Sequence, residues 1–189
     1  ELRERYLPKP VAKYTSAFEG CVGDTLRMAQ EIGAALGPLG EDNSLWFPSS
    51  IATRKDGSTA VYPHIVLDRG KPGLVAVNAA GRRFVNEAVS YHEFTRAMYR
   101  SHREVASIPT WLVCDRQFIW KYGLGMIRPL TPILRGYVKR GYLKLADSIE
   151  GLARAIGVDG GGLVETIRAH NEFARAGVGD YRAGGRITS

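Results

Sequence analysis

Gly73-Leu-Val-Ala-Val-Asn-Ala-Ala-Gly-Arg-Arg-Phe-Val-Asn-Glu-Ala-Val-Ser-Tyr91 is the stretch on which the fold turns. Leu74 to Val77 is a short apolar run bounded by turn residues, which predicts a strand. Asn78 and Gly81 supply a turn, and Arg83 to Val85 a return strand, so the segment reads as a hairpin. Strand alternation puts Arg83, rather than Arg82, on the more buried side. Asn86 to Glu93 then leaves a strand and enters a helix, a place where side chains project from rigid elements. Ser90 as N-cap and Glu93 at the third helical position account for two of these residues by capping alone. Asn86, Glu87 and Tyr91 are left without such a role. Asn86 can satisfy loop backbone, and Glu87 either faces a ligand or pairs with Arg82 or Arg83. The helix is expected from Tyr91 to Glu104, with Phe94, Ala97 and Met98 on one face.

Towards the N-terminus, Tyr62 to Leu67 is a further strand candidate, and residues 38–60 are rich in loop formers. Leu26, Ala29, Ile32 and Leu36 recur at helical spacing from Gly23 to the breakers Gly37-Pro38, with Asp24 as N-cap. Gly33 inside that helix costs about 1 kcal/mol against alanine, so a close packing contact is expected there. Residues 1–19 carry Pro8 and Pro10 without periodicity and read as extended or loop. Towards the C-terminus, Thr110 to Cys114 reads as a strand ended by Asp115. Asp147-Ser148-Ile149-Glu150 reads as a capping box opening a short helix stopped by Gly157. A last helix after Gly160-Gly161-Gly162 carries Leu163, Ile167 and Phe173 and ends at Gly177. Helix, loop, hairpin, helix, strand, helices is an α+β order, not a doubly wound one.

Composition narrows the chemistry. The chain of 189 residues carries a formal net charge of +7, but its densest basic groups, Arg82-Arg83, Arg100 to Arg103 and Lys139-Arg140, hold two basic residues each. No aromatic stripe accompanies them, so no nucleic-acid partner is expected. No apolar run approaches the roughly 18 residues a membrane helix needs, and the charged start is not that of a signal peptide. Cys21 and Cys114 form no paired motif and are expected as reduced thiols of a cytoplasmic protein. His64, His92, His102 and His170 lack metal-ligand spacing, so surface or capping roles are expected for them, with His92 and His102 able to share one helix end. GxGxxG, P-loop, HExxH and GxSxG patterns are absent.

The segment Gly73 to Glu87 resembles the signature "N-x-x-G-x-R-F-x-N-E" of the fumarate reductase/succinate dehydrogenase flavoprotein superfamily, carried by the domain that closes over flavin and substrate. Three more segments agree in order. Gly23 to Ala29 is similar to the "G-D-G-x-x-M-A" helix, Pro109 to Asp115 to a later strand ending in aspartate, and Asp147 to Ala176 to the closing helices. The resemblance covers roughly residues 20–178. It implies a capping domain with a small, mainly antiparallel sheet flanked by helices over residues 46–178. Residues 1–45 would be an edge of the flavin domain carrying the helix 23–36, and residues 179–189 a tail. The family's glycine-rich flavin segments are missing, so the chain is expected to be a fragment. FAD would belong to the full-length protein, none would stay on this chain, and the exposed flavin-facing surface could pair two copies.

Within the superfamily, fumarate reductases carry a histidine-proline-threonine segment whose histidine holds a substrate carboxylate. Here that place reads Trp46-Phe47-Pro48-Ser49, and Phe47 offers a dicarboxylate neither charge nor hydrogen bond. Where those enzymes continue into an arginine proton relay, this chain has Ser90 and Tyr91. The run Asn86 to Tyr91 is similar to 3-ketosteroid Δ1-dehydrogenases, in which a tyrosine after "N-E" is the catalytic base. The resemblance thus implies Tyr91 as base and Phe47, Ser49, Asn86 and Glu87 as substrate-side residues, acting on a bulky carbonyl compound. A tyrosine hydroxyl is a weak acid, so this role requires a neighbour that stabilises the phenolate. A fumarate-type ene reductase acting on a small acid, and a binding module without catalysis, are the alternatives.

Overall fold

Leu74–Val77 forms β3, and all four of its residues are buried. Alternation then divides its side chains. Leu74 joins Phe118, Ile119, Ile127 and Leu134, whereas Val75 and Val77 join Val113, Ala153 and Leu163. Ala76 meets Val85, Phe94 and Ala97. A strand covered on both sides has no use for a polar face, which is why this run is apolar throughout.

The structure is a computed structural model that describes residues 2–38, 40–54, 56–65 and 67–176. The chain divides into two compact units, Glu1–Leu45 and Trp46–Ser189. In the first, α1 (Leu2–Tyr6) and α2 (Asp24–Glu31) are the helices, and none of its described residues is buried. The expected loop at the start is thus partly helical: Leu2 to Tyr6 consists of good helix formers, in a run too short to show a period. The expected helix 23–36 is shorter, because Gly33 sits at φ 80°, where the helix cannot continue. Gly33 touches nothing within 4 Å of where its Cβ would be, so its role is conformational and not the packing contact expected. The close approach is at Gly23, which is the N-cap in place of Asp24, and where a Cβ would meet Leu2 at 2.5 Å.

The second unit holds two antiparallel ribbons among its described residues. β1 (Ser49–Thr53) pairs with β2 (Thr59–Pro63) around the Asp56-Gly57-Ser58 turn. The strand expected at Tyr62 to Leu67 therefore lies earlier in the chain. β3 pairs with β4 (Trp111–Cys114), Leu74 opposite Cys114 and Val77 opposite Trp111. The turn at Asn78 and Gly81 is present, with Asn78 Oδ1 accepting from the N–H groups of Ala80 and Arg82. Its return arm makes only one bridge, Val77 to Arg83, so the expected hairpin is not the ladder. Apolar β4 can cover β3 along its length; the return arm instead sends Phe84 and Val85 towards Phe94.

Ser90 caps α3 (Tyr91–His102), accepting from the Glu93 N–H at 3.2 Å. Asp115 caps α4 (Arg116–Tyr122), and α5 (Arg135–Lys139) follows. Asp115, which ends the expected strand, is at the same time the N-cap of α4, a role that aspartate prefers. Ser148, not Asp147, caps α6 (Ile149–Ile156), so the third helical position is Gly151 and no capping box forms with Glu150. α7 (Gly160–Ala176) starts inside the glycine triplet. A Cβ on Gly162 would lie 1.9 Å from the Ala80 carbonyl, and one on Gly81 would lie 2.4 Å from the Leu163 nitrogen. Asp159 N–H donates to Ala79 O at 2.9 Å and Thr166 Oγ1 to Gly81 O at 2.7 Å, completing this junction. The tail 179–189, and Gly177 with it, lies outside the described residues. No described helix is long and apolar enough to cross a membrane.

Candidate functional site

Glu87 is 4% exposed, and its carboxylate is fully engaged. Oε1 accepts from the Ala76 N–H at 2.7 Å and from Arg83 Nε at 2.9 Å; Oε2 accepts from Arg83 Nε at 3.0 Å and Nη2 at 2.5 Å. Of the two arginines, it is therefore Arg83 that pairs with Glu87, while Arg82 reaches out to Glu165 at 2.5 Å on the surface. A buried charge survives only when paired and hydrogen-bonded, and the forked guanidinium meets that requirement. Glu87 thereby locks the segment to the middle of β3, four residues before Tyr91. Asn86 Oδ1 accepts from the Ala88 N–H at 3.0 Å, tightening the same turn.

Tyr91 opens α3, and its ring stacks on Phe47 with centroids 4.4 Å apart and planes 15° from parallel. The two lie far apart in sequence. A second tie joins their segments, the Trp46 N–H donating to His92 Nδ1 at 3.2 Å. Both rings are half-buried, so the pair forms an aromatic wall that stays partly accessible. Ser49 is exposed and its hydroxyl donates back to the Phe47 carbonyl at 3.2 Å. The geometry thus brings Phe47 and Tyr91 into contact, keeps Ser49 beside them, and turns the Glu87 carboxylate inward.

Beneath this wall lies a polar corner that the sequence reading did not single out. His64 is 5% exposed, not a surface residue, and its Nδ1 lies 2.6 Å from Asp68 Oδ2. Asp68 also accepts from the N–H groups of Gly125 and Arg69, both at 2.8 Å. Burial alone would raise this carboxyl, but the His64 hydrogen bond and charge with the two N–H donors pull it down to about 2. Arg69 is fully buried. Burial lowers the pKa of its guanidinium against the opposing charges of Asp68 and Glu87. Ser50 Oγ lies 2.7 Å from the Tyr142 hydroxyl, which accepts from the Met126 N–H at 2.9 Å. Burial raises Tyr142 above the usual phenol value despite those bonds, so this tyrosine stays protonated. The signal in the sequence is the polar trio His64, Asp68 and Arg69 shortly before β3.

The other histidines sit at the two ends of α3, not at one: His92 at its start, and His102 at its end, where Nδ1 accepts from the Ser107 and Ile108 N–H groups. His170 is half-buried, and burial followed by the charge of Arg83 lowers it. Both cysteines are free; burial, then Asp115, pushes Cys114 up to about 12, which removes it as a nucleophile.

A dinucleotide requires a glycine-rich turn whose backbone can approach a pyrophosphate. The one glycine triplet in the described residues, at the start of α7, is filled by its own neighbours, Ala80 O and Asp159 Oδ1. It does not fit that role.

Comparison with known proteins gives the class and then the family. The chain is 36% identical over 94% of its length to the 4-oxocyclohex-2-ene-1-carboxylate 5-dehydrogenase of Sinomonas cyclohexanicum, covering 30% of that protein. It superposes on a 3-ketosteroid delta1-dehydrogenase from Sterolibacterium denitrificans, solved with 1,4-androstadiene-3,17-dione, with a TM-score of 0.78 and 33% identity. That match covers 93% of this chain and 31% of the other. A flavocytochrome c3 fumarate reductase in its open conformation matches with a TM-score of 0.52 at 26% identity, over 87% of this chain and 25% of that one. The chain is thus related to oxidoreductases of the dehydrogenase and fumarate reductase kinds, and spans about a third of their length or less. The family described as "FAD binding domain" matches residues 1–188, and the chain belongs to it.

Proposed function

We propose that this chain is the substrate-capping part of a longer FAD-dependent dehydrogenase that introduces a double bond beside a ring carbonyl, with Tyr91 as the base. The observation that carries the reading is the Phe47–Tyr91 stack: a phenol at a helix start, half-open and backed by a flat apolar ring. Similarity to two dehydrogenases named for ring ketones supports the same substrate class. Loss of two hydrogens next to a carbonyl removes a proton and a hydride, and FAD, named by the family, is the two-electron acceptor. What this chain's residues supply is the proton side. The Tyr91 oxygen, entering the step as the phenolate, takes the proton α to the carbonyl, which acidifies that C–H, and becomes a phenol. Phe47 forms the wall against which the ring lies, and Ser49 is the polar group at its rim. Asn86 and Glu87 act on the protein side of the same turn, holding its backbone. In the cell this would be a cytoplasmic enzyme for a small molecule, and the isolated chain would be colourless.

The test is Tyr91→Phe in the full-length protein. Turnover falls by at least about a hundredfold, as loss of a general base entails, with FAD still bound. Unchanged turnover removes Tyr91 from the role. Reduction of a small unsaturated acid is the second reading, favoured by the likeness to the fumarate reductase. It predicts that Phe47→His raises activity towards dicarboxylates, whereas the leading reading predicts loss of the ring-ketone reaction.

A further inference from the structure

We propose that Arg69 is a positioning residue for the Phe47–Tyr91 pair: it holds the main chain on both sides of the stack from a sealed corner between them. This rests on the reading of Phe47 and Tyr91 as the site. Three hydrogen bonds run in series. The His64 N–H donates to Pro48 O at 2.7 Å, Arg69 Nε donates to His64 O at 3.0 Å, and Arg69 Nη1 donates to Glu87 O. Pro48 follows Phe47, and Glu87 stands four residues before Tyr91 in the turn that leads into α3, so the series spans the interval that sets how the two rings meet.

The chemistry of the corner argues against a mere space-filler. Arg69 is 0% exposed, its guanidinium donates to two main-chain carbonyls, and its Nη2 is buried without a partner among the described residues. A guanidinium in that setting is costly, and an apolar side chain of similar volume would pack there at lower cost. Arginine alone offers several donors in a rigid plane, so one side chain can hold two carbonyls at a set separation. The plane is itself held, its central carbon 5.0 Å from the Phe94 ring centroid, and Phe94 belongs to the helix that Tyr91 opens. Asp68 fixes the other end by binding the Arg69 N–H, the His64 ring and the Gly125 N–H with one carboxylate. Glu87 is thus gripped twice, by Arg83 through its side chain and by Arg69 through its carbonyl. The second grip leads back to Phe47 through His64 and Pro48.

The experiment uses the full-length flavoprotein labelled with 3-fluorotyrosine, in which the Tyr91 resonance is identified by its loss in Tyr91→Phe. Arg69→Lys keeps charge but cannot span both carbonyls; Arg69→Met removes the buried charge and keeps an apolar fill. In both variants the Tyr91 resonance should move towards that of free fluorotyrosine while the other tyrosines stay in place. Turnover per bound flavin should fall about tenfold to a hundredfold, as small displacements of a reacting group entail, with little change in KM. The isotope effect of substrate deuterated at the proton-loss carbon should grow. An unmoved Tyr91 resonance in both variants overturns the proposal. So does collective movement of all tyrosines, which would mark Arg69 as a fold stabiliser only. Failure of the base reading shows separately, as full turnover in Tyr91→Phe.

Discussion

Of the two compact units, only the one from Trp46 onwards buries side chains among its described residues. In Glu1–Leu45, Ile32 is 86% exposed, while in the unit from Trp46 onwards Ile127 is 1% exposed. Arginine repeats the contrast: Arg27 pairs with Asp24 on the surface of α2, whereas Arg69 is sealed and spent on main-chain carbonyls. α2 has the spacing of an amphipathic helix without one buried side chain; β3 has no amphipathic spacing and is buried throughout. Periodicity therefore reports that a face exists. Whether the face is covered, and so whether its residues stabilise anything, depends on what packs there.

That difference can be broken or sharpened by measurement. The largest effect is expected at Glu87. Glu87→Gln removes the carboxylate from a buried, forked pair with Arg83, and should cost about 3–5 kcal/mol in urea unfolding of the chain. A cost no greater than that of a surface pair would mean the pair is not sealed. A smaller effect is expected at Asp68. Its carboxyl is lowered in the folded state from 3.8 to about 2, so its contribution is present above the unfolded value and is lost as pH falls through the folded one. Wild type and Asp68→Asn should thus differ by roughly 2 kcal/mol at neutral pH and converge between about pH 4 and pH 2. A pH-independent gap would show that shape, not charge, holds the corner. The smallest effect is expected in the first unit, where Ile32→Ala should change the stability of the chain by less than about 0.5 kcal/mol. A core-sized loss there would dissolve the contrast.

Much of the stretch from Leu74 to His102 was legible in advance because its signals are local. Asn78 and Gly81 make their turn with their own neighbours, and Ser90 caps its own helix. Where the reading failed, two local solutions competed and distant packing decided between them. Ser148 and Asp147 are both capping types, and the chain uses the one that seats α6. Arg83 to Val85 and Trp111 to Cys114 could each pair with β3; the apolar strand took the ladder. Gly33, expected to pack closely, ends a helix in open space, while Gly162 is the one that lets a turn press against α7.

By itself, the sequence determined the segment that carries Asn86, Glu87 and Tyr91, the helix that Tyr91 opens, and the family to which the pattern belongs. All of these rest on side chains acting within a few residues of themselves. Only the tertiary structure decided that Phe47 stacks on Tyr91, that Glu87 turns inward to Arg83, and that His64, Asp68 and Arg69 close a corner between them. The Phe47–Tyr91 stack joins residues 44 positions apart, and although Glu87–Arg83 and His64–Asp68 pair at a separation of four, both pairs are sealed by more distant segments. Their energies depend on which charges and rings are removed from water together, and no local run of residues encodes that.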